Sequence, residues 1–249
     1  MVTFIVFCEN EADRGILFPD KLLSRLTNMK KEQEDLSEPS EVIFMCCGFD
    51  LTYQIISRFR LENRLTSWRV HTVSGTNRSS AFVKALDYAS GDHIVVTTCS
   101  RCVEWTNLND LKFKNNDCYV ASRFIRGSFV GNRWSKSEVR FAKILRLFSL
   151  SLVPLSIAKD VSCEFILIPR DIANKLKGYL MCGDWCFETE LIYLCNLYGV
   201  PIREFSVVWS DIPDYKHHYW LRFKNYKRCY SNMRARKSLL LTLFKNSLV

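Results

Sequence analysis

Four short apolar runs recur through the first hundred residues, each but the last followed by a segment of helical spacing. That alternation restricts the chain to few folds. Thr3–Cys8, Val42–Met45, Trp68–Val73 and Ile94–Val96 are rich in β-branched and aromatic side chains and read as buried strands. Helices are predicted over 18–33, with Leu22, Leu23 and Leu26 on one face, over 51–63, and over 80–90, with Phe82, Val83, Leu86 and Ala89 together. Ser37–Ser40 reads as a loop. A βαβαβαβ order predicts an α/β protein built on a doubly wound, mostly parallel sheet. Ligands of such sheets bind beyond the carboxyl ends of the strands, so the residues after Val6, Met45 and Val96 are the first candidates for a site.

The second half is less regular. Strands are predicted at 117–123, 163–168 and 202–208, and helices at 136–152, from Arg170 after Pro169, and at 187–197. In the 136–152 stretch Lys136, Arg140 and Lys143 lie three and four apart, with Phe141, Ile144, Leu145, Phe148 and Leu152 around the rest, and Pro154 ends or kinks it. There is no internal repeat and no low-complexity segment.

The chain of 249 residues carries a net charge of +9, unevenly spread. Tyr215 to Val249 holds nine basic residues and no acid, and residues 1–214 balance at 26 against 26. This divides the chain into a domain over 1–214 and a basic amphipathic segment over 215–249. A segment so charged seeks phosphates, of lipid or of nucleic acid, or is simply a solvated basic helix. No recognised nucleic-acid-binding module accompanies it, so nucleic acid is not the expected partner. Tyr219–Lys224 mixes aromatics with bases, and Leu239–Phe244 is apolar but far shorter than the roughly 18 residues a span requires. That is the composition of a helix lying in a membrane interface. The start lacks a basic n-region, so no secretory signal is expected. Eleven cysteines, an odd number, then suit a reducing compartment and free buried thiols. Cys99-x-x-Cys102 and Cys182-x-x-x-Cys186 suggest zinc, but neither is flanked by His at ligand spacing.

Trp185-Cys186-Phe187-Glu188-Thr189-Glu190-Leu191-Ile192-Tyr193, followed by Ile202-Arg203-Glu204-Phe205-Ser206-Val207-Val208-Trp209, resembles the C-terminal half of family 2 glycosyltransferases, in particular the dolichyl-phosphate glucosyltransferase branch. That branch carries W-x-F-D-x-E-L-L-Y and then I-x-E-x-x-V-x-W. Lys159–Phe165 is similar to its R-D-T-Q-C-G-F, Ala121-Ser122-Arg123 to its G-S-R, and Ala89–Ile94 to its A-x-G-D-x-I. The resemblance covers nearly the whole chain and is strongest from about 117 to 216. It implies the GT-A, nucleotide-diphospho-sugar transferase type of sheet followed by C-terminal amphipathic helices. The departures fall in the donor half. Of P-x-Y-N-E-E only Asn10 and Glu11 are kept. D-D-G-S becomes Cys46-Cys47-Gly48-Phe49, with Asp50 close by. G-K-G is replaced around Asn77–Ser80, and the D-A-D metal motif becomes Thr98-Cys99-Ser100.

The resemblance implies transfer of glucose from UDP-glucose to dolichyl phosphate at the cytosolic face of the endoplasmic reticulum, in N-glycosylation. The membrane would be met through 136–152 and 215–249. The alternative is a non-catalytic descendant that binds a lipid phosphate or a protein partner. An acceptor phosphate is mostly ionised near neutral pH and needs no general base. The departing nucleoside diphosphate needs positive charge, which Mg²⁺ or Mn²⁺ supplies across the family. Thr98, Cys99 and Ser100 hold a hard cation poorly, so no metal ligands are assigned and Arg101 is the candidate replacement, its other reading being a solvated surface arginine. The donor set implied is Asn10, Glu11, Gly48, Asp50, Asp92, Thr98 and Ser100. The acceptor phosphate is assigned to Arg123, Arg133, Arg140 and Lys216, whose side chains suit phosphate oxygens. Glu188 and Glu190, two apart on one helix, do not share a face. Glu190 is the one expected to line the site, while Glu188 stands where the family has Asp and Glu164 where it has Gly. Trp185 and Trp209 are expected in the core.

Overall fold

The computed structural model describes residues 1–12, 19, 41–48, 50–73, 77–99, 101–104, 116–131, 136–183, 186–211 and 219–247. The helix expected over 18–33, apart from Pro19, and the loop at 37–40 lie outside them. In chain order the elements are β1 (Val2–Glu9), β2 (Glu41–Cys47), α1 (Thr52–Glu62), β3 (Trp68–Val73), α2 (Arg78–Leu86), β4 (His93–Thr98), β5 (Arg101–Glu104), β6 (Cys118–Ser122), β7 (Phe129–Val130), α3 (Lys136–Ser149), β8 (Phe165–Pro169), α4 (Arg170–Leu176), α5 (Phe187–Tyr198), β9 (Ile202–Ser206), β10 (Val208–Asp211) and α6 (Tyr219–Ser247).

Seven strands form one sheet in the order β3-β2-β1-β4-β8-β6-β9. β1, β2, β3 and β4 are mutually parallel, as the βα alternation predicts. β8 runs antiparallel to both its neighbours, and β6 pairs with β9 in parallel. The predicted doubly wound, mostly parallel sheet is therefore present. The single strand expected over 202–208 is two. β9 completes the large sheet, and β10 crosses into a small sheet of order β5-β10-β7.

Both faces of the large sheet are covered over β1, β2, β4, β6 and β8, whose residues are almost all buried, while the edge strands β3 and β9 are partly exposed. In β1, Ile5 and Phe7 face one core with Phe82, Leu191 and Met233, while Phe4, Val6 and Cys8 face the other with Phe44, Trp68 and Ile56. The strand order reverses between β1 and β4, and a crevice at that switch point is where an open α/β sheet places its ligand.

The basic C-terminal segment is not appended to the outside of this core. α6 is one helix, and its buried Tyr226, Met233, Leu240 and Phe244 recur at spacings of seven and four on one face. That stripe packs with the residues of α5 and α3: Phe148 meets Phe223 and Tyr230 edge-on, and Tyr193 donates its hydroxyl to the Met233 carbonyl at 3.2 Å. Leu239 and Leu243 stay exposed. Among the described residues no helix is long and apolar enough to cross a membrane. If α6 is integral to the core, Met233→Ala lowers the unfolding free energy by about 2–5 kcal/mol. A urea titration reads this, and an unchanged midpoint would show that the helix docks without holding the core.

Candidate active site

Four of the residues singled out at the donor end converge behind β1 and β2. Gly48 sits at φ +117°, where an L side chain is strained, and a Cβ there would collide with the Asn10 side chain. Asn10, itself at φ 50°, donates its N–H to the Cys47 carbonyl at 3.3 Å. Asp50 accepts from the Ala12 N–H at 2.8 Å and the Thr52 N–H at 3.0 Å, and Thr52 Oγ1 accepts from the Glu11 N–H at 2.7 Å. Burial pushes the Asp50 carboxyl up, but the bonds from Thr52 and Ala12 outweigh it and hold the group below its ordinary range. Asn10, Glu11, Gly48 and Asp50 thus form one turn network tying the end of β1 to the start of α1.

Three thiols lie at the same ends of the strands. The sulfurs of Cys8 and Cys99 are 2.7 Å apart, and the Cys46 thiol also bonds to Cys8. Burial pushes Cys8 well up; the bond to Cys8, then burial, pushes Cys46 up, so both stay protonated. The ten cysteines whose side chains are described are free, and among the described residues no group of three His, Cys, Asp or Glu has the arrangement of a metal site.

Beside them is a charged cluster drawn from four elements. Thr98, at the end of β4, donates its hydroxyl to Glu164 Oε2 at 3.0 Å. Glu164 immediately precedes β8. Arg78, the first residue of α2, donates Nη1 to Glu188 Oε1 at 2.9 Å and lies 3.5 Å from Glu164 Oε1. Glu188 is in the first turn of α5. The side chains of Arg78, Glu164 and Glu188 are only 8%, 6% and 5% exposed. Asn77 caps α2 by accepting from the Ser80 N–H at 3.2 Å, which fixes where Arg78 leaves the helix. Desolvation pushes Glu188 up to about 7; Arg78 pulls it down and Glu164 adds to the rise.

Glu188, not Glu190, faces this cluster. Glu190 is fully buried on the other side of α5, where it accepts from the N–H groups of Met181 and Cys182 and pairs with Arg236 of α6. The assignment of Glu190 to the site is thus corrected, because the i,i+2 spacing separates the two and tertiary packing chose Glu188. Asp92 is also corrected. It precedes β4, roughly 20 Å of strand from Thr98, and pairs with the N-terminal amine at 3.1 Å on the opposite edge of the sheet.

Arg123 is buried against Asp160 in a forked pair, with Nε to Oδ2 at 2.7 Å and Nη2 to Oδ1 at 2.9 Å, and a further bond to Ser162. Its guanidinium lies over the Trp209 ring, 5.5 Å from the centroid, and Trp209 fills core as expected. Burial alone would lift Asp160, but the charge and hydrogen bonds of Arg123 hold it low, and the same pairing lifts Arg123 against its own desolvation. Arg123 is therefore engaged in a buried internal ion pair. Arg140 is exposed on α3, away from this pair in sequence and in burial. Ser100, Arg133, Lys216 and Trp185 lie outside the described residues, and for Arg101 the backbone alone is described, opening β5. Sequence reasoning missed Arg78, Glu164 and Asp160 as partners. The Gly-to-Glu and G-K-G-to-Arg departures were the available signal.

A divalent metal does not fit this cluster as it stands. The Arg78 guanidinium already bridges the two carboxylates, and the motif residue nearest them contributes a neutral hydroxyl.

The seven-stranded sheet with this reversal is the sheet of the GT-A glycosyltransferase fold. Solved structures of that fold superpose over most of the chain. Glucosyl-3-phosphoglycerate synthase from Mycobacterium tuberculosis, with Mn²⁺ and UDP-glucose, gives a TM-score of 0.64 at 12% identity, covering 96% of this chain and 79% of that one. Mannosyl-3-phosphoglycerate synthase from Rubrobacter xylanophilus gives 0.65 at 12% identity, covering 97% and 76%. The chain belongs to the dolichyl-phosphate beta-glucosyltransferase family: it is 33% identical to the human member over 224 residues, which span 85% of this chain and 68% of that one. The Dictyostelium discoideum relative is 20% identical over 74% of this chain and 59% of its own length. No family profile matches the chain.

Breaking the Arg123–Asp160 pair from one side leaves a buried charge alone, so Asp160→Ala costs about 3–5 kcal/mol of stability, read by urea denaturation. The Arg123→Met/Asp160→Leu double variant recovers much of that loss. A double variant as unstable as the single one would show that the pair is not the cause. The raised Glu188 makes a separate prediction. The folded state keeps its proton from the ordinary carboxylate pKa up to about 7, so Glu188 stabilises the fold at the acid end of that window. That contribution is lost as pH rises through it, with a slope of at most about 1.4 kcal/mol per pH unit. Denaturation midpoints from pH 5 to 8 should fall in the wild type and flatten in Glu188→Gln, and identical slopes would refute the assignment.

Proposed function

We propose that the protein transfers glucose from UDP-glucose to dolichyl phosphate at a membrane surface. The family membership carries this reading, and the strand order with its switch point between β1 and β4, beside which Arg78 links Glu188 to Glu164, supports it. The acceptor phosphate attacks the anomeric carbon without prior deprotonation, since it is largely ionised near pH 7. The chain's own residues do three things. The turn of Asn10, Gly48 and Asp50 shapes the nucleotide end, Arg123 and Asp160 hold the acceptor wall rigid, and the Arg78 cluster sets the charge where the diphosphate departs.

One face of α3 supports a lipid acceptor. Arg140, Lys143, Ile144 and Leu147 recur at i, i+3, i+4 and i+7 and are exposed, Leu147 by 65%. Bases interleaved with bare aliphatics suit anionic headgroups over an apolar layer. The cytosolic face of the endoplasmic reticulum is the location this reading implies.

The second reading, a family member without turnover that binds a lipid phosphate or partner, is favoured by one observation. Arg123 and Glu190, both expected at the site, are taken by internal ion pairs. Purified protein given UDP-glucose and dolichyl phosphate decides between them: transfer to the lipid, lost on Arg78→Ala, is the expected outcome. Absence of both transfer and calorimetric binding of UDP-glucose, with and without Mg²⁺, would leave only the second reading.

A further inference from the structure

We propose that Arg78 is a built-in counter-cation, whose guanidinium holds Glu164 and Glu188 together at the carboxyl end of β4 and supplies there the positive charge that a divalent metal ion would otherwise bring. Three observations carry it. The first is position. Arg78 opens α2, Glu188 lies in the first turn of α5, and Thr98 ends β4, so the cluster lies at the carboxyl end of β4, beside the switch point of the sheet. The Arg78 guanidinium also lies over the ring of Phe7, 6.0 Å from its centroid, near the end of β1.

The second is occupancy. Nη1 reaches Oε1 of Glu188 at 2.9 Å and Oε1 of Glu164 at 3.5 Å, and Thr98 Oγ1 holds Glu164 Oε2. A metal ion drawing on these oxygens would have to take the place of the guanidinium. The third is the pattern of exchange in the sequence. The two carboxylates of the metal motif are replaced by hydroxyls at Thr98 and Ser100, while Glu164 stands at a family glycine and Arg78 within the replaced G-K-G. By that resemblance acid is added at Glu164, while Arg78 keeps a basic side chain within a motif that already carries one.

The inference rests on the glycosyltransferase reading for the place of the sugar nucleotide, but its test uses Mn²⁺ alone. A failure to bind UDP-glucose therefore overturns that reading and not this one. Free Mn²⁺ is followed by electron paramagnetic resonance over the full-length protein, and melting temperature is recorded with and without the ion. The wild type is expected to take up no Mn²⁺ that depends on Glu188. Arg78→Met is expected to bind one Mn²⁺ at least tenfold more tightly than the wild type. Glu188→Gln added to Arg78→Met abolishes that gain, and Arg78→Lys, which restores a cation, returns the protein to metal indifference. A merely structural role for Arg78 would not produce that sequence of gain, loss and rescue. Mn²⁺ uptake by the wild type that Glu188→Gln removes, or a folded Arg78→Met that takes up none, overturns the proposal. If Arg78→Met does not fold, the wild type and Glu188→Gln decide it. Equal indifference to Mn²⁺ supports the built-in cation, and a metal-dependent rise in melting temperature confined to the wild type refutes it.

Discussion

Among the described residues, three guanidinium groups held against buried carboxylates organise this protein. Arg78 joins α2 to α5 and to the entry of β8, Arg123 joins the end of β6 to the loop before β8, and Arg236 joins α6 to α5 and its preceding loop. Each links segments far apart in the chain, and each carboxylate is nearly or fully buried. The apolar core sets the layers, but these pairs fix how the loops at the carboxyl ends of the strands are held.

The same constraint bears on the end of β4, where the resemblance puts Thr98, Cys99 and Ser100 in place of metal carboxylates. The strands, the switch point and the first-turn position of Glu188 do not depend on the D-A-D residues. Those residues are a local feature at the end of β4, and Thr98 and Cys99 pack there as small, nearly inaccessible groups. With Cys8 and Cys46 they make that end of the sheet neutral and soft. The charge balance is carried instead by the Arg78 cluster next to it. α6 has a comparable double character, since its Tyr226 face belongs to the core while Lys224, Lys227, Arg228, Arg234 and Lys245 are exposed and Arg236 turns inward to Glu190.

Much of the fold was legible. The strands at Thr3–Cys8, Val42–Met45, Trp68–Val73 and Ile94–Val96 each lie within or match an observed strand; three are buried on both faces and leave a continuous apolar run, and the edge strand Trp68–Val73 shows through its β-branched and aromatic residues. The 202–208 run was read as one strand, since the apolar pattern continues while the chain changes sheets around Val207. The site was less legible. Asp92 follows a family-like motif yet sits at the wrong edge, as the direction of β4 dictates. The choice between Glu188 and Glu190 turned on which face of α5 meets β4, and the spacing shows only that the faces differ. Arg123 was visible as a residue, but its partner Asp160 lies 37 residues away and no local pattern announces it.

By itself the sequence determined the α/β class, the parallel half of the sheet, the family and the concentration of positive charge after residue 214. These follow from periodicity, motif and composition, which are local properties of a chain. Tertiary structure alone decided that α6 is built into the core, that Glu190 holds a loop while Glu188 faces the crevice, and that Arg78 lies between two carboxylates. Those outcomes depend on which buried charges come within hydrogen-bonding reach once distant segments pack, and reach is a property of three dimensions.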